Sequence, residues 1–278
     1  MAILSFEELA RMPDDAIDVA VGAMLVAKDV MEELDVDAAL ARLDALAGPL
    51  AGGALAGQDA RAQASAVSAR FRELGFEGNT TDYYDPKNSL LPEVIERKIG
   101  IPITLSVVWC EIARRAGVQA RGVAFPGHFL VRVDARGAAP TTQPVIVDAF
   151  AGGRLVDDDV ARDLLRRAIG DGADVHPALF TPATPRVVLV RMLSNLKAIW
   201  ASRGEHARAF VAIDRIVTLV PDSARMLRER AAVALKLGAT DLARTDIARV
   251  IDLEPEAPDV PALKKRLADL ASTKTTFN

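Results

Sequence analysis

Apolar positions recur at helical spacing over residues 14–47. Ile17, Ala20, Val21, Met24 and Leu25 form one stripe, and Leu34, Ala38, Leu43 and Leu46 continue it after Asp35. Gly48-Pro49 and Gly52-Gly53 punctuate this pattern, and a further helix is predicted from Asp59 to Leu74, stopping at Gly75. The polar, turn-rich run from Phe76 to Pro86 predicts an ordered loop. Asn88 or Ser89 is then expected to cap a short helix that ends at Gly100. Pro102 suits the first turn of the next helix, where a missing N–H costs nothing. Leu105, Val108, Trp109, Ile112 and Ala116 give that helix its buried face, and Arg114-Arg115 with Gly117 end it.

From there the pattern shortens. Ala120 to Phe125, Phe129 to Val133 and Pro144 to Asp148 are short β-branched runs separated by turns, which predicts an antiparallel meander with a loop over Asp134 to Gln143. Residues 157–180 return to helix and loop. In the last third, a shift of 34 residues superimposes Leu193 on Leu227, Gly204 on Gly238, Ala209 on Ala243, Ile213 on Ile247, Leu219 on Leu253 and Pro221 on Pro255. That period, with a small residue in mid-repeat and a closing proline, is the tetratricopeptide signature. Each such helix pair must stack on a neighbour to bury its face, so Pro261 to Leu270 is expected to supply a charged capping helix. The organisation expected is a first domain over 1–180, with residues 1–80 an integral layer of it, and two repeats plus cap over 186–271.

Composition narrows the classes. With 278 residues the chain can bury one large or two medium cores. A net charge of −4 weighs against nucleic acid or an anionic membrane as partner. The acidic N-terminus shows no basic n-region before an apolar core, so no secretory signal is read, and a cytoplasmic location is expected. Abundant alanine and arginine suggest a GC-rich bacterial gene. Cys110 is the sole cysteine, which excludes an intramolecular disulfide, and His128, His176 and His206 are scattered. No metal or other cofactor is therefore expected.

The candidate chemistry lies between Gly100 and Asp148. A helix beginning near Gly100, a strand opening with His128 and a strand ending at Asp148 follow the order of a site in which a nucleophile caps a helix and a base and its orienting acid follow on strands. An aspartate accepting from one imidazole nitrogen fixes the tautomer and frees the other nitrogen to take a proton. The segments Asn88-Ser-Leu-Leu-Pro-Glu-Val-Ile-Glu-Arg, Gly100-Ile-Pro-Ile-Thr-Leu, Gly122-Val-Ala-Phe-Pro-Gly-His-Phe-Leu-Val-Arg and Asn195-Leu-Lys, with the repeats after them, resemble the SirB-type bacterial family. The resemblance spans most of residues 80–255. It implies an α+β fold: a helix-rich, transglutaminase-like domain of the papain-like cysteine-protease type with a small antiparallel sheet, followed by an all-α tetratricopeptide-repeat domain.

The transglutaminase-like pattern has Gly-x-Cys at the helix start. Laid on this chain it puts Gly100 on the glycine and Pro102 on the cysteine, while His128 and Asp148 match the base and the acid. Thr104 is the nearest hydroxyl, read either as a nucleophile or as a helix cap. Cys110 lies two turns inside the helix, beside Trp109, and reads as core. Ser106 and the loop holding Asn88 are candidates to line the same cleft, and the adjacent Tyr83 and Tyr84 read as a binding lip or as anchors of that loop. The first expectation is an interaction module that has lost its cysteine and binds a protein or peptide. Asn195, Lys197, Arg228 and Arg230 are read either as lining its repeat groove or as solvated helix faces; in the groove, Lys197, Arg228 and Arg230 imply an acidic ligand segment. The alternative is an amide hydrolase or acyl transferase using the His128–Asp148 pair with Thr104 or a water.

Overall fold

The computed structural model describes residues 5–134, 143–172 and 174–273. The chain folds into two compact units, one over Met12–Met192 and one made of Phe6–Arg11 together with the residues from Leu193 onward. The division falls inside a helix, later than the joint expected between residues 180 and 186.

In the first unit, α2 (Val19–Lys28), α3 (Val36–Ala45) and α4 (Ala60–Glu73) follow the short α1 (Phe6–Ala10), which belongs to the second unit. Aspartates start all three. Asp18 accepts from the amides of Ala20 and Val21, Asp35 from Ala38 and Asp59 from Ala62, so each carboxylate satisfies orphan N–H groups at a positive helix end. The stripe read over 14–47 is thus two helices and a turn. With Asp35 as cap, the buried face of α3 is Val36, Ala39 and Leu43, and Ala38 faces outward. Next come β1 (Glu77–Gly78), α5 (Leu91–Arg97) and β2 (Ile99–Gly100), then α6 (Pro102–Arg115).

Helix α6 is the central element, buried from Pro102 through Ala113 apart from the half-buried Cys110. It touches α2, α3, α4 and α5 as well as the strands that follow, which is why it is apolar all round. Among its buried polar groups, the Trp109 indole N–H donates to Ser68 Oγ at 3.2 Å and the Glu111 carboxylate is held by Arg114 and Arg115. The meander forms as expected from β3 (Ala120–Val123), β4 (Leu130–Val133) and β5 (Val145–Asp148), and a fourth strand, β6 (Arg154–Val156), extends it in the order β3-β4-β5-β6. Most of the loop expected over 134–143 lies outside the described residues. Val123, Phe125, Leu130 and Ile146 of the sheet pack on Leu165 of α7 (Asp158–Ile169).

The second unit takes the end of α8 (Pro185–Ser202), then α9 (His206–Leu219), α10 (Ala224–Lys236), α11 (Thr240–Leu253) and α12 (Val260–Thr273). Gly204 and Gly238, matched by the 34-residue shift, both have left-handed backbone (φ 73° and 78°) at the turn inside each helix pair. Ala231, Ala234, Ala243 and Ile247 form the second pair's core, which Leu263, Leu267 and Leu270 of α12 cover.

The cations expected in a ligand groove are instead bonded within the repeats. Lys197 pairs with Glu229, tying α8 to α10. Arg228 reaches Glu254 and Asp259, each at 2.7 Å. Arg230 bridges Asp214 of α9 at 2.6 Å and Asp246 of α11 at 2.7 Å. Asn195 is half-buried on α8. An extra acidic ligand would have to displace carboxylates already in place, so these three arginine and lysine side chains are helix-to-helix ties. Asp246 is buried, and removing its partner strands a charge. Arg230→Ala is therefore expected to destabilise the protein by about 3 kcal/mol in denaturant unfolding, with much of the loss recovered by adding Asp246→Ala. Arg225→Ala, at an exposed pair with Glu229, is expected to change stability by less than about 0.5 kcal/mol.

Candidate functional site

The turn before β4 positions His128. Phe125-Pro126-Gly127-His128 is a tight turn closed by the His128 N–H donating to the Phe125 carbonyl at 3.1 Å. Proline presets its second position and Gly127, at φ 63°, supplies the left-handed third, where a Cβ would also come within 2.7 Å of Ala168. Asp148 ends β5, which pairs with β4 through Val131↔Val147, so the antiparallel register brings the two side chains to the same end of the sheet. There His128 Nε2 lies 3.0 Å from Asp148 Oδ1. The same oxygen accepts from the Ala151 amide at 3.2 Å, and both side chains are nearly sealed from water, at 13% and 4% exposure. With Nε2–H given to the carboxylate, Nδ1 is the free nitrogen.

Thr104 is placed differently from a nucleophile. Its side chain is fully buried, its hydroxyl donates to the Asn88 carbonyl at 2.7 Å, and its oxygen accepts from the Ile101 N–H at 3.2 Å. It is the reciprocal cap of α6, whose N-cap residue Ile101 has no polar side chain of its own. Pro102 follows at the position where the pattern calls for cysteine. Ser106 is also buried, and donates to the Phe129 carbonyl at 3.4 Å. Cys110 is half-buried, and desolvation pushes its thiol well above the ordinary range, which keeps it protonated. It lines a groove of about 870 Å³ along the middle of α6, whose wall contains neither His128 nor Asp148.

Asn88 does not cap α5. That helix starts from Leu90 without a side-chain cap. Asn88 is fully buried, donates to the Asp82 carbonyl at 2.7 Å and accepts from the Asn79 amide at 3.2 Å. Asn79 in turn accepts from the Thr81 and Asp82 N–H groups, and Arg97 pairs with Asp85 at 3.1 Å. Polar groups thus hold the loop from Asn79 to Asp85, and the tyrosines are left to face outward: Tyr83 is 42% and Tyr84 70% exposed. Their rings meet edge to face at 5.4 Å. Burial of one side of Tyr83 raises its phenol pKa.

Two residues the sequence reading missed complete the site. Phe150, in the turn after Asp148, lies 6.4 Å from Tyr83 and 6.0 Å from His128, both edge to face, so four rings run in series from Tyr84 to His128. The Phe150 ring covers Gly78, where a Cβ would lie 2.5 Å from it. Gly78 pairs with Gly100 in the two-residue parallel ladder of β1 and β2, which brings the start of α6 beside this row of rings. Arg191 of α8 donates to the His128 carbonyl at 3.2 Å and sits 6.0 Å from the Phe129 ring. Phe150 could have been suspected as the aromatic after Asp148, and Arg191 as the residue one helical turn before Asn195. Among the described residues no group of three His, Cys, Asp or Glu side chains is placed to hold a metal ion, and no helix is long and apolar enough to cross a membrane.

Comparison with known proteins agrees with this architecture. Residues 37–194 match the model of the transglutaminase-like superfamily, and residues 196–268 match a tetratricopeptide-repeat model. A UPF0162 protein of Xylella fastidiosa is 39% identical over 208 residues, covering 73% of this chain and 72% of the relative. Another, from Pseudomonas aeruginosa, is 31% identical over 209 residues, 75% of this chain and 74% of that one. Human F-box only protein 21 is 30% identical over 175 residues, 60% of this chain but 27% of its own length. No solved structure matches the chain. The first domain model spans more than half of the sequence and the bacterial relatives are matched over most of their length, so the chain belongs to the transglutaminase-like superfamily and to the UPF0162 proteins, with tetratricopeptide repeats at its C-terminal side.

Proposed function

We propose that the chain is a peptide-binding protein of SirB-type architecture, in which the aromatic lip beside His128 holds a segment of a partner protein and the repeats offer further protein contacts. The observation that carries this reading is the first turn of α6. It offers Pro102 where a nucleophile is needed, and the Thr104 hydroxyl proton is already given to the Asn88 carbonyl. A hydroxyl must pass its proton to a base to attack a carbonyl, and a fully buried, doubly bonded Thr104 lacks that freedom. What remains is a lip of exposed tyrosines, side chains that offer contact area at low entropic cost.

A second reading is favoured by the intact His128–Asp148 pair at 3.0 Å. It is the geometry of a general base, and such a base activates water as well as a hydroxyl. In that case the chain hydrolyses an amide without a covalent intermediate. The two readings part on one variant. Binding of fluorescein-labelled peptides, followed by anisotropy on the full-length protein, is expected to weaken about fivefold or more with Tyr83→Ala or Tyr84→Ala and to persist with His128→Ala. Turnover of an amide substrate by wild type that vanishes with His128→Ala would establish the hydrolase instead.

Two further outcomes check the roles assigned to α6. Thr104→Val leaves the Asn88 carbonyl and the Ile101 N–H without their partner, so thermal and denaturant unfolding should show a loss of about 2 kcal/mol, with peptide affinity unchanged under conditions where the variant is folded. Cys110, with its thiol held protonated by burial, is expected to resist iodoacetamide near pH 8 in the native protein and to react fully once denaturant is added. Rapid native alkylation would show a thiolate and return Cys110 to the list of nucleophiles.

A further inference from the structure

The charged side chains of this protein are mostly satisfied in pairs. Arg115 holds Glu111 and Asp44, Arg132 holds Asp134, and Arg230 holds two aspartates. Arg191, like Arg72 on the Gly152 carbonyl and Lys98 over the Phe76 ring, departs from the pattern, and it alone of these three touches the His128 turn. Among the described residues it has no carboxylate partner; its contacts are the His128 carbonyl, at 3.2 Å, and the face of Phe129. Asp148, the acid of this site, is bonded to His128 and Ala151 instead. The guanidinium is half-buried, and its charge is felt at the Tyr83 phenol, where it opposes the upward pull of burial.

A guanidinium has five donors in a planar fork that fits a carboxylate through two parallel bonds. Here one donor is spent on a neutral carbonyl, and the half-buried charge stands beside the His128 backbone and the Phe129 ring, near enough to Tyr83 to be felt there. Partial burial without a counter-ion costs free energy that an incoming anion returns. We infer that Arg191 is the anion-binding residue of the site, and that the bound peptide presents a carboxylate to it. This rests on the peptide-binding reading above. It also moves the acidic preference from the repeat helices, where the cations are already neutralised, to the rim of the transglutaminase-like domain.

A carboxylate can come from an Asp or Glu side chain or from a chain terminus, and the experiment separates them. Fluorescein-labelled peptide libraries are titrated against the full-length protein in three forms: acidic with a free C-terminus, acidic with the C-terminus amidated, and Asp/Glu replaced by Asn/Gln with the C-terminus free. The form that keeps the recognised carboxylate is expected to bind about tenfold more tightly than the form that lacks it, and the advantage should shrink as salt is raised. Arg191→Gln should abolish the advantage, so that within this variant the form that keeps the recognised carboxylate binds no more tightly than the form that lacks it. Arg191→Lys, which keeps a charge and a donor for the His128 carbonyl, should retain part of it and serves as the comparison if Arg191→Gln is unstable. Equal binding of all forms, or equal weakening of all forms by Arg191→Gln, would overturn the inference while leaving peptide binding at Tyr83 and Tyr84 intact. Failure of every form to bind, or binding indifferent to Tyr83→Ala, would remove the peptide-binding reading and this inference with it.

Discussion

The hydrogen bond from the Thr104 hydroxyl to the Asn88 carbonyl is the contact on which the tyrosine-bearing loop and the start of α6 depend. Helix α6 is buried on nearly every side, so the N–H groups at its start cannot turn to water. Pro102 removes one of them and Thr104 takes that of Ile101. The bond to Asn88 then fixes the segment before α5, and the Asn88 side chain, facing the other way, pins the loop of Tyr83 and Tyr84. The end of β2, held against α6 by the same turn, carries Gly100 beside Gly78, and the bare Gly78 lets Phe150 lie flat against the backbone next to His128. A helix cap thus bears on the position of an aromatic row whose members lie 20 to 46 residues from Thr104 along the chain.

In this arrangement a transglutaminase-like scaffold holds a His–Asp pair while the first turn of α6 is given to structure. His128 and Asp148 are placed by the sheet and by a Pro-Gly turn, independently of what stands at the start of α6. Asp148 also braces its own turn through the Ala151 amide, so the carboxylate has work whether or not a proton is ever transferred. The pair is therefore compatible with binding as well as with catalysis, and the chemistry is decided by what the first turn of α6 can offer.

Much of the fold was legible in local pattern. The aspartates before α3 and α4, the apolar face of α6, the alternation of the strands and the 34-residue period each state a local geometry that neighbours in sequence enforce. The pairing of His128 with Asp148 could be anticipated from order alone, because an antiparallel meander returns every second strand end to the same edge. The two-residue ladder of β1 and β2 could not, since so short a parallel pair leaves no period to read. The roles of Lys197, Arg228 and Arg230 were out of reach for a similar reason. Their charge is visible, but their partners lie 16 to 32 residues away, on neighbouring helices or, for Arg228, in the connection between α11 and α12.

By itself, then, the sequence determined most of the helices and the first three strands of the meander, that the last third carries tetratricopeptide repeats, and that no cysteine stands at the start of α6. Each of these follows from the identity and spacing of residues close along the chain. Only the tertiary structure decided what the polar groups do: that Thr104 is spent on Asn88, that Lys197, Arg228 and Arg230 are spent on carboxylates, and that Arg191 has no acidic partner among the described residues. The physical reason is that a charge or a hydroxyl is defined by its partner, and the partner is chosen by packing between elements remote in sequence.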